Sequence, residues 1–132
     1  MTSLLKAAAC AAALASAAAA HAQPNADVNR GGIAYNSAAV ALQALRAKAG
    51  VTFSRNDDWT IAEDTDGALW SFTPESHYAH PSVGRRRLLT HEGRYYVRTE
   101  ILCQAQKPAC DRLHADYQLL DRRMNEAIRA AK

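Results

Sequence analysis

Apolar residues recur with a helical period near the end of the chain. The recurring positions, three or four residues apart, are Leu113, Tyr117, Leu120, Met124 and Ile128. This spacing places them on one face of an α-helix. Pro108 suits the first turn of such a helix, where its missing N–H leaves no hydrogen bond unmade. The pattern predicts an amphipathic C-terminal helix from about Pro108 to Ala130.

A second stretch with helical spacing covers residues 35–50. Asn36 or Ser37 can cap its start, and Gly50 suits the left-handed position that follows a helix. We therefore expect an N-terminal helix here. The preceding residues 23–34 are polar and contain a Gly-Gly pair, which predicts a flexible N-terminal segment.

Between the two helices, apolar and polar residues alternate with the period of two that is typical of β-strands. The segment 58–73 predicts one hairpin, with its turn between Asp64 and Gly67. The segment 85–103 predicts a second hairpin, with its turn at residues 91–93.

The order helix, hairpin, hairpin, helix is typical of the α+β class. We expect a single domain over residues 35–132, with a four-stranded antiparallel sheet made of two hairpins. Both helices, including the amphipathic C-terminal one, are expected to pack on the same sheet face. Trp59, Trp70 and Phe72 are interpreted as core residues. The alternative, an aromatic platform for a sugar, requires at least one exposed tryptophan.

The first residues carry a targeting pattern. Lys6 is followed by an Ala-rich run over residues 7–20 and by a small-x-small sequence that ends at Ala22. This layout predicts a signal peptide, residues 1–22, cleaved after Ala22. The run is shorter than the roughly 20 residues that span a bilayer, and Cys10 follows Lys6 too closely for a lipoprotein signal. We expect a periplasmic or secreted protein without a membrane span.

The charge of the mature chain is nearly balanced. The whole chain has 16 basic and 13 acidic residues, and one basic residue, Lys6, leaves with the signal peptide. The remaining net charge of +2 gives no reason to expect a nucleic-acid partner. No nucleotide-binding glycine loop and no full set of metal ligands is present, so no cofactor is predicted.

Two cysteines, Cys103 and Cys110, lie in the predicted mature chain. Their C-x6-C spacing differs from the C-x2-4-C of zinc sites and from the C-x-x-C of redox motifs. In an oxidising compartment, a pair placed at the end of a strand and in the first turn of the returning helix predicts a disulfide. Whether that bond is structural or redox-labile stays open, because a helix N-terminus favours a thiolate.

Five arginines form the most unusual charged feature: Arg85, Arg86, Arg87, Arg94 and Arg98. Because side chains alternate along a strand, Arg86 should point away from Arg85 and Arg87. A two-residue turn places Arg87 opposite Arg98, and a three-residue turn places Arg86 there. Either pairing is unfavourable unless an anion or a carboxylate lies between the guanidinium groups.

These arginines have two interpretations. The functional one is a ligand-binding face for an anionic envelope component or an acidic protein, extended by His77, Tyr78, His80 and Tyr96. The other is a solvated edge strand whose charges prevent pairing with other chains, with acidic residues such as Glu100 as counterions.

The segment "ESHYAHP" contains Glu75, His77 and His80. A His-x-x-His pair can bind one metal ion, but a polar surface loop explains the same residues. The sequence therefore favours a small exported binding or interaction protein of unknown ligand over an enzyme. The alternatives are a metal-dependent or hydrolytic enzyme built on Glu75, His77 and His80, and a structural protein of the envelope.

Overall fold

The structure is a computed structural model that describes residues 29–30 and 32–131. In that part of the chain the elements are, in order, β1 (Asn29–Arg30), α1 (Ala38–Ala47), β2 (Thr52–Asn56), β3 (Trp59–Glu63), β4 (Leu69–Phe72), β5 (Ser82–His91), β6 (Arg94–Cys103) and α2 (Lys107–Ala130). The predicted signal peptide, residues 1–22, and most of the predicted flexible segment, residues 23–34, lie outside the described residues.

The strands form one antiparallel sheet in the order β1-β6-β5-β4-β3-β2. The α+β class is confirmed, whereas the predicted number of four strands is too low. Five strands have four or more residues, and β1 adds two residues beside the end of β6. The sequence did not indicate β2 because every residue of this edge strand is exposed, so no apolar alternation marks it.

Two-residue turns join β2 to β3 and β5 to β6. Asp57 and Asp58, with φ values of 46° and 66°, connect β2 to β3, and aspartate tolerates this left-handed backbone. Glu92 and Gly93 connect β5 to β6, so the turn has two residues and places Arg87 opposite Arg98. This is the first of the two registers that the sequence left open.

The helix α1 packs on one face of the sheet. Ser37 caps its start by accepting a hydrogen bond from the Val40 amide at 3.0 Å. Its buried residues pack against apolar side chains of four strands, and the shared cluster includes Ala41, Leu45, Ala62, Trp70, Phe72, Val83 and Leu102. This cluster is the larger of the two apolar cores.

The helix α2 packs on the opposite face. Leu102 belongs to the α1 core, while its neighbours Ile101 and Cys103 pack with Leu113 of α2. Because adjacent residues of a strand point to opposite faces, the molecule has three layers, with the sheet between the helices. The prediction that both helices cover the same face is therefore wrong. The uninterrupted apolar run at residues 101–103 is typical of a strand that is buried on both faces.

The start of α2 is fixed to the end of β6. The Cα atoms of Cys103 and Cys110 are 5.7 Å apart, and the two sulfur atoms lie at disulfide distance. Pro108 lies in the first turn of α2, as expected. No helix among the described residues has the length and apolar character needed to cross a membrane.

Side chains of α2 also hydrogen-bond to the backbone of β6. Asn125 accepts a hydrogen bond from the Val97 amide at 2.7 Å and donates one to the Val97 carbonyl at 3.1 Å. One carboxylate oxygen of Asp121 accepts from the Thr99 amide at 2.8 Å, and the other accepts from the Thr99 hydroxyl at 2.7 Å. Since β1 pairs only with the end of β6, these side chains take the place of a neighbouring strand.

Replacing both cysteines, Cys103→Ser with Cys110→Ser, should lower the free energy of unfolding by about 2.5 kcal/mol, because the closed loop restricts the unfolded chain. Urea denaturation of the oxidised protein and of the double variant measures this difference. Dithiothreitol should lower the stability of the parent protein only. Equal stability of the two oxidised proteins would contradict the predicted structural disulfide.

Substituting Asn125→Ala should lower the free energy of unfolding by about 1–2 kcal/mol, because the Val97 amide and carbonyl lose their partners. Hydrogen exchange should also accelerate at the Val97 amide. The exposed neighbour Arg122→Ala is the matched control and should leave Val97 protected. Unchanged exchange at Val97 in the Asn125 variant would show that these bonds do not protect the strand edge.

Candidate functional site

A cleft lies between α2 and the sheet. The helix packs on β6, at one side of the sheet, while β4, β3 and β2 extend beyond it on the same face. The space between them has a volume of about 560 Å³. Cavities of this size commonly hold small organic molecules. We call this space the cleft.

The cleft has an apolar and aromatic lining with polar groups at several points. The apolar and aromatic side chains are Trp59, Ile61, Leu69, Leu113, Tyr117 and Leu120. The polar and titratable ones are Ser54, Asn56, Asp57, Ser71, His77, Tyr78, Arg86 and Asp116. This combination is typical of a site that buries an apolar body and orients it with a few polar contacts.

Small residues form much of the cleft floor. Ser54 of β2 is the cross-strand partner of Ile61, Ile61 is the partner of Ser71, and Ser71 is the partner of Gly84. These four residues therefore form one row across the sheet on the face of α2. Three of the four have no side chain larger than that of serine, which leaves the space open.

Tyr117 of α2 lies directly against this row. A Cβ atom at Gly84 would be only 2.9 Å from the Tyr117 hydroxyl and ring, so glycine is required for this close approach. Burial raises the pKa of Tyr117 to about 12, while the nearby charge of Arg86 and a hydrogen bond with Ser71 oppose the increase. The phenol is therefore protonated at neutral pH and can donate a hydrogen bond.

The loop between β4 and β5 forms one wall of the cleft. Its backbone is held by hydrogen bonds from the His77 amide to the Pro74 carbonyl and from the His80 amide to the His77 carbonyl, both 3.0 Å. The His77 ring lies 5.0 Å from the Trp59 ring and 4.2 Å from the Tyr78 ring, measured between centroids. These contacts give the wall a row of aromatic rings.

The same loop is tied to α2. The Tyr78 hydroxyl donates a hydrogen bond to Asp116, and the Arg112 guanidinium lies 4.2 Å from the centre of the Tyr78 ring. Partial burial and this hydrogen bond raise the pKa of Tyr78 to about 12. The loop and the helix are thus connected by a protonated phenol at one side of the cleft.

His77 is uncharged at neutral pH. Burial lowers its pKa below 6.5, and the charges of Arg112 and His80 lower it further, while Asp116 acts in the opposite direction. Its Nδ1 atom accepts a hydrogen bond from the Ala79 amide at 3.1 Å. The proton of the neutral ring is therefore on Nε2.

Arg86 is the basic residue that lines the cleft. Its Nε atom lies 3.5 Å from Asp121 of α2, and its side chain is 17% exposed. Both carboxylate oxygens of Asp121 already accept hydrogen bonds from Thr99. Among the described residues, Arg86 Nε is buried without a hydrogen-bond partner. Arg86 thus has a counterion in Asp121, but its Nε atom makes no hydrogen bond to it.

Arg85 and Arg87 lie on the opposite face, where both bind the buried Glu100. Arg85 Nε donates to one carboxylate oxygen at 2.9 Å, and Arg87 Nη2 donates to the other. The Arg85 guanidinium also lies 5.3 Å from the centre of the Trp70 ring. Glu100 is thus the counterion that the second interpretation named, but the edge strand of that interpretation is wrong, because β5 lies between β4 and β6.

The remaining two arginines of the predicted ligand-binding face, Arg94 and Arg98, are exposed. Arg98 is opposite Arg87, so both point away from the cleft. Arg86 points to the face opposite that of Arg85 and Arg87, as the sequence predicted. The other four arginines all lie on the face that is turned away from the cleft. The five arginines do not share one face of the sheet.

The loop histidines do not form a metal centre with their neighbours. His80 Nδ1 lies 3.0 Å from the Thr73 carbonyl and 3.1 Å from its hydroxyl, whereas His77 points to Trp59. Glu75 is exposed. No group of three histidine, cysteine or acidic residues that could hold a metal ion is found in residues 29–30 and 32–131.

No protein-family model matches the chain, and no curated protein sequence or solved structure matches it. What the cleft could bind is therefore inferred from its side chains alone. Trp59, interpreted from the sequence as a core residue, is half-buried in the cleft wall. The cleft floor could have been recognised in the sequence only from the small residues Ser54, Ser71 and Gly84. They lie in different strands, so their alignment follows from the strand pairing and not from any local pattern.

The pKa of His77 should be below 6.5 in an NMR titration. Arg112→Gln should raise it, because a nearby positive charge is removed, and Asp116→Asn should lower it further. Because the unfolded chain binds this proton more readily, the free energy of unfolding should fall as the pH falls through the window just below 6.5. A normal pKa that neither variant changes would contradict the described burial of the ring.

Proposed function

We propose that the protein is a small exported binding protein that holds a small, partly apolar molecule in the cleft. The observation that carries this proposal is the open floor of small residues between aromatic walls. Trp59 and Leu69 are only partly buried and Leu120 is exposed, so the cleft leaves apolar surface open to solvent, and covering such surface with a ligand is favourable.

Export is part of the same proposal. The signal-peptide pattern of residues 1–22 supports it, and so does the cysteine pair at disulfide distance, since such pairs persist in oxidising compartments. A periplasmic or secreted protein of this kind would meet its ligand outside the cytosol.

Binding is favoured over the hydrolytic or metal-dependent alternative. The Nδ1 atoms of His77 and His80 face separate protein groups, the Ala79 amide and the Thr73 carbonyl. Neither of these contacts joins the two imidazoles to a common reacting centre. The cleft also contains Trp59 and Tyr78, whose rings suit contact with an apolar surface.

The proposed binding can be tested with 1-naphthylacetamide, a neutral aromatic probe. We expect saturable quenching of tryptophan fluorescence, because Trp59 lines the cleft while Trp70 lies in the α1 core. Ser54→Phe fills the cleft from an exposed position and should weaken binding about tenfold, by steric exclusion of the probe.

Arg55→Phe is the matched control. Arg55 is exposed on the same strand but points to the other face, so this variant should bind as the parent does. Equal binding by both variants would place the probe outside the cleft. Absence of saturable binding to the parent protein would remove the support for the proposed function.

A further inference from the structure

We infer that the natural ligand of the cleft is an organic monoanion, a flat apolar body that carries one carboxylate, and that Arg86 binds the carboxylate. This inference rests on the proposed function, because it names the chemical class of the ligand in the same cleft.

The first argument is that Arg86 does not use all of its hydrogen-bond donors within the fold. Its ion pair with Asp121 has a distance of 3.5 Å, and its Nε atom, among the described residues, makes no hydrogen bond. Asp121 is held by two hydrogen bonds from Thr99, so it cannot turn towards Arg86 without losing them. A guanidinium has five donors in a planar fork, which suits a carboxylate that enters the cleft.

The second argument is the contrast with the neighbouring arginines. Arg85 and Arg87 donate to separate oxygens of the buried Glu100 on the opposite face, although Arg87 Nε, like Arg86 Nε, makes no hydrogen bond among the described residues. Arg86 lines a space that is large enough for a small molecule. Of these three consecutive arginines, Arg86 is the one that borders the cleft, and its 3.5 Å ion pair with Asp121 is longer than the contacts of Arg85 and Arg87 with Glu100.

The third argument is the position of Arg86 relative to the apolar lining. Leu69 is its cross-strand partner, and the ring of Tyr117 lies close enough for the Arg86 charge to lower the phenol pKa. A ligand whose carboxylate contacts Arg86 would therefore place its apolar part on Leu69 and towards Trp59. The protonated phenol of Tyr117 can donate a second hydrogen bond to the same carboxylate.

The acidic group in the β2–β3 turn is distant from this anion site. Arg86 is on β5, whereas Asp57 follows β2, so two to three strand spacings, roughly 10–14 Å, separate them across the sheet. The acidic Asp116 is engaged by the Tyr78 hydroxyl. A carboxylate at Arg86 therefore avoids direct repulsion from Asp57, whereas the carboxylate of Asp121 lies 3.5 Å from Arg86 Nε.

The inference can be tested with two probes that share one aromatic body, 1-naphthylacetate and 1-naphthylacetamide, titrated into the purified oxidised protein. The carboxylate should bind at least about tenfold more tightly than the amide, because the carboxylate offers two charged oxygens to the planar fork of Arg86, whereas the amide offers one neutral carbonyl oxygen. Arg86→Gln should remove this preference, because it weakens carboxylate binding more than amide binding. Circular dichroism checks that the variant is folded.

Arg98→Gln is the matched control, since it removes the same charge from the opposite face and should keep the preference for the carboxylate. If Arg86→Gln does not fold, Arg86→Lys replaces it and should bind the carboxylate more weakly than the parent, because lysine lacks the planar fork.

Equal affinity of the parent for both probes would overturn the inference while leaving the proposed binding function intact. A preference for the carboxylate that persists in a folded Arg86→Gln variant, or in Arg86→Lys at full strength, would also overturn it. Failure of both probes to bind would instead count against the proposed function itself.

Discussion

The attachment of α2 to β6 determines the rest of this structure. The Cys103–Cys110 pair fixes the first turn of the helix, and the hydrogen bonds of Asp121 and Asn125 hold its second half against the strand. Together these contacts keep the helix at one side of the sheet. Because α2 cannot shift towards the centre, the strands β2 to β4 stay uncovered on that face. The cleft is therefore a consequence of how one helix is anchored.

The alternation of side chains along β5 gives its three arginines different roles. Arg85 and Arg87 form ion pairs with Glu100 on the α1 face of the sheet. These pairs offset the cost of burying the Glu100 carboxylate. Arg86 points to the other layer, where its carboxylate partner is shared with the backbone of β6. A sequence of three identical residues thus supplies a structural ion cluster on one face and a cation at a cleft on the other.

Much of the fold could be predicted from the sequence, because it depends on local periodicity. The spacing of Leu113 and Tyr117 predicted α2, and strand alternation predicted the opposite orientation of Arg86. The exposed strand β2 could not be recognised, since its side chains have no buried face to mark. The side of the sheet that each helix covers, and hence the cleft, depends on long-range packing that no short pattern encodes. Asp121 and Asn125, polar residues four positions apart on the helix, were the overlooked signal for its contact with the strand edge.

The contact between Gly84 and Tyr117 shows that the depth of the cleft is set by a missing side chain. The ring can rest on the sheet only because position 84 has no Cβ atom in its way. A single methyl group there would act as a spacer between the layers and would displace the Tyr117 ring, changing the width of the cleft. Substitution at this one backbone position can therefore adjust the size of the molecule that the proposed site accepts.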